Sequence, residues 1–242
     1  MPRGAPDDSD VQKLGLICRL DDMGELAARL GSPMLYHRFG DVVFMETFET
    51  GIARWRNVHD GGVISHGLST DAALSEGLSY LFDANATTAC WGKILHYNAP
   101  ITTPKIGLSF AFYADRSEGK IRFGLEPYDG AKKYAFYLQY DLKTGKLSYR
   151  TTTPTWTEFA DHGVLYTGYD VFHQVKLIVD YVTREYDRLF IDEEVYDLSA
   201  YPPRISSAEE NPCIIIDIGF SLDVGDILAL YLDDIILTQN EV

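Results

Sequence analysis

Lys105-Ile106-Gly107-Leu108-Ser109-Phe110-Ala111-Phe112-Tyr113 is the stretch that decides the fold of this chain. Ile106, Leu108, Phe110 and Phe112 fall at every second position, with Lys105, Gly107, Ser109 and Ala111 between them. A period of two sends successive side chains to opposite faces of a strand, so one face is apolar and the other small or polar. The same rhythm returns at Lys120 to Glu126, where Ile121, Phe123 and Leu125 oppose Arg122 and Glu126. It returns again where Tyr134, Phe136, Leu138 and Tyr140 alternate with Ala135, Tyr137 and Gln139. Asp141-Leu142-Lys143-Thr144-Gly145-Lys146 turns the chain back into Leu147 and Tyr149, with glycine where a hairpin wants positive φ. A second hairpin runs from Val175 to Asp180, through Thr183-Arg184-Glu185, to Tyr186 to Asp192. Val42 to Phe48, Ile214 to Phe220 and Ile227 to Thr238 also read as strands. Roughly a dozen or more short strands with tight turns imply an all-β chain of antiparallel sheets packed face to face.

The composition agrees. The chain has 242 residues, 46% hydrophobic and 13% aromatic, with 16 Tyr and 12 Phe, enough to fill a core. Thirty-six Asp and Glu against 21 Lys and Arg leave a net charge of -15. That balance excludes general nucleic-acid binding, which needs clustered bases to neutralise phosphate, and disfavours an anionic membrane surface. The expected partner is a neutral glycan or other neutral or cationic molecule. Cys18, Cys90 and Cys213 are scattered and read as free buried thiols, neither a disulfide framework nor a zinc site. Ile214 to Leu232 is interrupted by Asp217, Asp223 and Asp226 and reads as two strands instead of a membrane span. The first ten residues have no apolar run of the secretory type, so the expectation is a soluble protein, cytoplasmic or secreted after removal of a leader. Asp21 to Gly31 carries helix signals: acids at its start, Leu26 and Leu30 on one face, Arg29 in the last turn and Gly31 to close it. Residues 1–40 are therefore expected to form an extension with a short helix packed on a single sandwich of residues 41–242.

Three stretches carry a family resemblance. Phe48-Glu49-Thr50-Gly51-Ile52 followed by Trp55 resembles the opening strand of carbohydrate-associated β-sandwiches. Phe172-His173-Gln174-Val175-Lys176, with the turn Ile191-Asp192-Glu193-Glu194, is similar to the paired strands of concanavalin A-like, laminin G-like jelly rolls. Tyr231-Leu232-Asp233-Asp234-Ile235-Ile236-Leu237 resembles their closing strand. The resemblance implies a two-sheet antiparallel jelly-roll sandwich whose concave face binds glycans, in many members without catalysis. It also implies a structural Ca²⁺ held by Glu49 and by Asp233 or Asp234. Carboxylates on the first and last strands would supply the oxygen ligands that Ca²⁺ takes and pin the two ends together. The competing reading of Asp233-Asp234 is a solvated or edge-protecting pair.

The binding face follows from the alternation. Arg122, Glu126, Tyr137, Gln139, Ser148 and Arg150, together with Ser109, are expected to point away from the core. Arg, Glu and Gln offer paired hydrogen bonds to hydroxyls, while Tyr137, Trp91 and Trp156 offer ring faces for a sugar. Trp55 is expected in the core. The E-x-D-x-E type strand of concanavalin A-like glycosidases is absent, as are the Gly-x-Ser-x-Gly elbow, the His-Glu-x-x-His helix and a phosphate loop. Glu126-Pro127-Tyr128-Asp129 and Asp192-Glu193-Glu194 are the nearest acid clusters and read as solvated charge at strand ends. His59 and His66 flank a Gly-Gly turn and could meet across a hairpin. The expectation is a non-catalytic carbohydrate-binding protein. The alternatives are a divergent glycoside hydrolase or polysaccharide lyase using Glu126, and a jelly roll used in structural assembly.

Overall fold

The computed structural model describes residues 40–75, 77–151, 155–168, 171–207 and 211–242; the expected helix at residues 21–31 and Cys18 lie outside them. The described residues are all-β. The strands are β1 (Asp41–Glu46), β2 (Arg56–Asp60), β3 (Val63–Ser69), β4 (Ser79–Asn85), β5 (Cys90–Asn98), β6 (Lys105–Ala114), β7 (Lys120–Tyr128) and β8 (Lys132–Asp141). They continue as β9 (Lys146–Arg150), β10 (Trp156–Asp161), β11 (His173–Asp180), β12 (Glu185–Ile191), β13 (Glu194–Asp197), β14 (Arg204–Ser207), β15 (Cys213–Leu222) and β16 (Ile227–Gln239).

They form two antiparallel sheets packed as a sandwich. Sheet one runs β13-β12-β11-β6-β16-β4-β3, with β1 also on β16. Sheet two runs β10-β9-β8-β7-β15-β5-β2, with β14 on β8. The alternating stretches supply the layer between them: Phe110 of β6 meets Phe123 of β7 edge to face at 5.3 Å, and Phe82 of β4 meets Phe220 of β15 at 5.1 Å. Each such ring contributes its buried area and a favourable quadrupole geometry. Both read hairpins form. Asp141 and Asp180 each accept two backbone N–H groups in their turns, and Gly145 takes a φ of 73°.

Strands β2 to β5 carry weaker signals than the rest. β5 mixes large side chains into both faces, with Trp91 and Leu95 on the outward parity and His96 on the inward one, so apolar and polar residues do not alternate, whereas β2 and β3 are exposed edges rich in His, Ser and Asn. Asp233 and Asp234 occupy a bulge in β16, with Asp234 at a φ of 47°, where the strand changes partner from β4 to β1. Both are fully buried, which corrects the reading of this pair as solvated. Trp55 packs against the core and donates its indole N–H to Glu46 (3.3 Å). Cys90 is a buried free thiol and Cys213 is half-buried. No helix among the described residues is long and apolar enough to cross a membrane.

Candidate functional site

The outer face of sheet two is built in rows set by strand register. Gln139 lies opposite Ser148 and Arg122, Arg122 opposite Gly219, and Gly219 opposite Lys93. In the next row Tyr137 faces Gly124, Gly124 faces Asp217, and Asp217 faces Leu95. Trp156 on β10 pairs with Arg150 on β9. Two glycines therefore interrupt a face of large side chains. A Cβ on Gly219 would stand 2.0 Å from the Gly92 carbonyl oxygen, and one on Gly124 would stand 2.1 Å from that of Phe136. Around Gly219 lies a hollow of about 370 Å³, lined by Trp91, Lys93, Arg122, Tyr137, Arg150, Trp156 and Asp217. Such a volume suits a small ligand.

The hollow is tightly wired. Tyr137 donates its hydroxyl to Asp217 Oδ2 at 2.7 Å, and Lys93 pairs with the same carboxylate. Arg122 Nε donates to Gln139 Oε1 at 3.1 Å, and its guanidinium lies 5.4 Å from the Trp156 ring centre. The Arg150 guanidinium lies 5.6 Å from the Tyr137 ring centre. Burial pushes the Asp217 carboxyl up to about 6, outweighing the opposite pull of Lys93. Burial also lowers Arg122 and Arg150, and Arg150's positive charge adds to the effect on Arg122.

Five residues singled out in the sequence, Arg122, Tyr137, Arg150, Trp91 and Trp156, line this hollow together. Gln139 supports Arg122 from beside it. Glu126 stands along the same face but is occupied, accepting from Tyr128 (2.9 Å) and pairing with Lys133 (2.9 Å). It is 5% exposed, so the reading of Glu126 as solvated charge is corrected. Ser109 does not belong to the face at all: it is on β6 in sheet one, opposite Lys176 and Ile236. Lys93 and Asp217 were not singled out, although both fall on the outward parity of β5 and β15 once register is known. Asp217 in an apolar run reads only as an interruption, because no in-strand alternation flags a lone buried acid. His59 and His66 do meet, with ring centres 5.6 Å apart, at the opposite edge of the sheets.

The acids expected to hold Ca²⁺ gather elsewhere, around residues 74–78. Glu49 Oε1 accepts the N–H groups of Gly77 (2.9 Å) and Leu78 (2.6 Å). Asp233 Oδ2 accepts those of Leu74 (2.8 Å) and Ser75 (3.2 Å), and Asp234 Oδ1 accepts the Ser75 hydroxyl (2.8 Å). Burial raises Asp233 to about 6, with the Glu49 charge adding to the rise. Neither Glu49 nor Asp233 has a basic ion-pair partner among the described residues, and hard oxygen donors of this kind are what Ca²⁺ takes. Among the described residues, no group of three or more His, Cys, Asp or Glu converges on one metal position, so carbonyl oxygens would have to complete such a site.

No protein-family model matches the chain, and no curated protein matches it in sequence. Solved structures do match in fold. The carbohydrate recognition domain of Emp46p, in its potassium-bound form, aligns over 81% of this chain and 94% of its own, at 12% identity and a TM-score of 0.51. A conserved carbohydrate esterase from the Shiga toxin-encoding bacteriophage phi24B aligns over 84% of this chain and 100% of its own, also at 12% identity and 0.51. A structure of carbohydrate-binding modules from the β-sandwich superfamily aligns at 10% identity and 0.46; its alignment covers 83% of this chain, which spans only 62% of that one. At these identities the likeness is one of fold: the two-sheet antiparallel β-sandwich shared with a carbohydrate recognition domain.

Proposed function

We propose that this protein binds a carbohydrate in the hollow on the outer, concave face of sheet two and does not cleave it. One observation carries the reading: three aromatic rings, Trp91, Trp156 and Tyr137, surround the same hollow as the polar groups of Arg122, Arg150, Lys93 and Asp217. Sugars present an apolar ring face and a rim of hydroxyls, and this lining offers a partner for each. The shared fold with a carbohydrate recognition domain supports the reading. A glycan array tests it: a defined hit is expected, and Trp156→Ala should weaken that hit about tenfold or more while leaving the melting temperature near wild type. A blank array on folded protein would remove the proposal.

A hydrolase or lyase is the second reading, and Asp217 favours it. Glu126 lies opposite Ile215 and Asp217 opposite Gly124, so the two acids are diagonal neighbours on adjacent strands. A buried acid shifted to about 6 beside a second acid is a setting used for general acid–base work. The engagement of Glu126 by Lys133 and Tyr128 argues for binding alone. No product should form from any bound glycan with wild type, Glu126→Gln or Asp217→Asn, and Glu126→Gln should leave array binding in place; product formed by wild type and lost in either variant would establish the enzyme.

Glu49, Asp233 and Asp234 are proposed separately as ligands of a structural Ca²⁺. The support is their oxygen chemistry and the uncompensated charge of Glu49 beside Asp233.

A further inference from the structure

The local charge of the hollow is opposite to that of the whole chain. The protein carries a net charge of -15, yet the charged side chains lining the hollow are Lys93, Arg122 and Arg150 against Asp217 alone. Lys93 is committed to Asp217, and the pair leaves little net charge. The two guanidiniums are what remains. Among the described residues neither is in an ion pair: Arg122 Nε donates to the neutral Gln139 amide, and Arg150 Nε is buried with no hydrogen-bond partner. They stand close enough for the charge of Arg150 to depress the pKa of Arg122. For both guanidiniums burial and a neighbouring positive charge outweigh the pull of Asp217, so the two half-buried cations cost stability in the empty protein, a cost that a ligand anion would offset. Folded proteins seldom leave a buried guanidinium N–H unsatisfied without a functional reason.

The shape narrows the anion. Guanidinium forks match a planar two-oxygen group bidentately, and the rings of Trp156 and Tyr137 stack on the two Arg residues and hold them in place. A carboxylate on a sugar ring would meet the forks while the ring face lies against tryptophan. We propose that the hollow is selective for an acidic glycan, with a hexuronate carboxylate held between Arg122 and Arg150. The inference rests on the carbohydrate-binding reading above and replaces the neutral ligand expected from net charge with an anionic one.

The test is calorimetric titration with the trisaccharides of galacturonate, glucuronate and mannuronate and with galactotriose, glucotriose and mannotriose. At least one uronate should bind about tenfold or more tightly than its neutral parent, the difference expected for charge-assisted hydrogen bonds. The preference should shrink with added salt. Arg150→Gln should erase it without lowering the melting temperature, and Arg122→Lys, which keeps the charge but loses the fork, should reduce it. A neutral trisaccharide bound as tightly as its uronate, or a preference intact in Arg150→Gln, would overturn the inference and leave carbohydrate binding standing. No uronate bound while a glycan array gives a neutral hit would also overturn it alone. A blank array with no trisaccharide bound would remove both.

Discussion

Asp217 shows what one side chain costs the fold at this site. Its carboxyl titrates near 6 against an ordinary value of 3.8, because burial disfavours the charge more than Lys93 favours it. The folded protein therefore holds the proton more tightly than the unfolded chain, and wild-type stability falls as pH rises from about 3.8 to about 6. The shift corresponds to about 3 kcal/mol at neutral pH. Asp217→Asn should thus gain on wild type between pH 4 and pH 7 in denaturant titrations; an advantage that is flat or shrinking over that range would contradict the assignment. His173 behaves in the opposite sense. Burial works against its charge, but the Asp192 carboxylate at 2.7 Å and the Tyr166 carbonyl at 2.8 Å outweigh it and raise its pKa above 6.5. The stabilisation it provides is complete below 6.5 and is lost as pH rises through the raised folded value. Accordingly, the melting deficit of His173→Gln should be largest near pH 6 and should narrow by pH 9. A deficit that grows with pH would show that the imidazole is neutral when bonded. His173 was legible as part of a strand motif. Asp217 was not legible as a site residue, because its meaning depends on Gly124 and Lys93, which only strand register places beside it.

At the level of the strands, β15 carries Gly219 in the floor of the hollow, and β7 carries Gly124 beside the lining residues Tyr137 and Asp217. Gly124→Ala would drive a methyl against the Phe136 carbonyl at 2.1 Å and the Tyr137 ring at 2.9 Å. The substitution should destabilise by about 1–3 kcal/mol and weaken glycan binding by displacing Tyr137; a wild-type denaturation midpoint would mean that β8 yields at no cost. The bulge in β16 is the other constructed feature, bringing Asp233 and Asp234 over residues 74–78. If an ion completes that cluster, EDTA should lower the melting temperature and added Ca²⁺ restore it by mass action. An unchanged melt would leave the three acids as an anchor for that loop. Alternation exposed β6, β7, β8, β11 and β12 because each buries one face in the core. It was silent on β2 and β3, whose edge positions bury little, and on β5, where Trp91 and Leu95 on the outward side and His96 on the inward side break the pattern.

Across the whole molecule, the net charge of -15 and the basic hollow describe different things. The first is an average over turns, edges and surface. The second is a local arrangement drawn from the consecutive strands β7, β8 and β9 and from β5 and β15, which lie far from them in sequence, with Trp156 on β10 closing one side. Composition pointed to an all-β class, yet the sign of the site was hidden in the average. The order of strands in sheet two was hidden too, since β15 sits between β5 and β7 and no local pattern encodes that crossover. The outward side chains of β7 and β8 were readable from alternation; their meeting with β5 and β15 was not. The most direct test of the central claim is chemical-shift mapping of backbone amides during titration with the best glycan-array hit. The account predicts that the perturbed amides cluster on β5, β7, β8, β9 and β15 around Lys93, Arg122, Tyr137, Arg150 and Asp217. Perturbations confined to sheet one, or to the loop at residues 74–78, would contradict it.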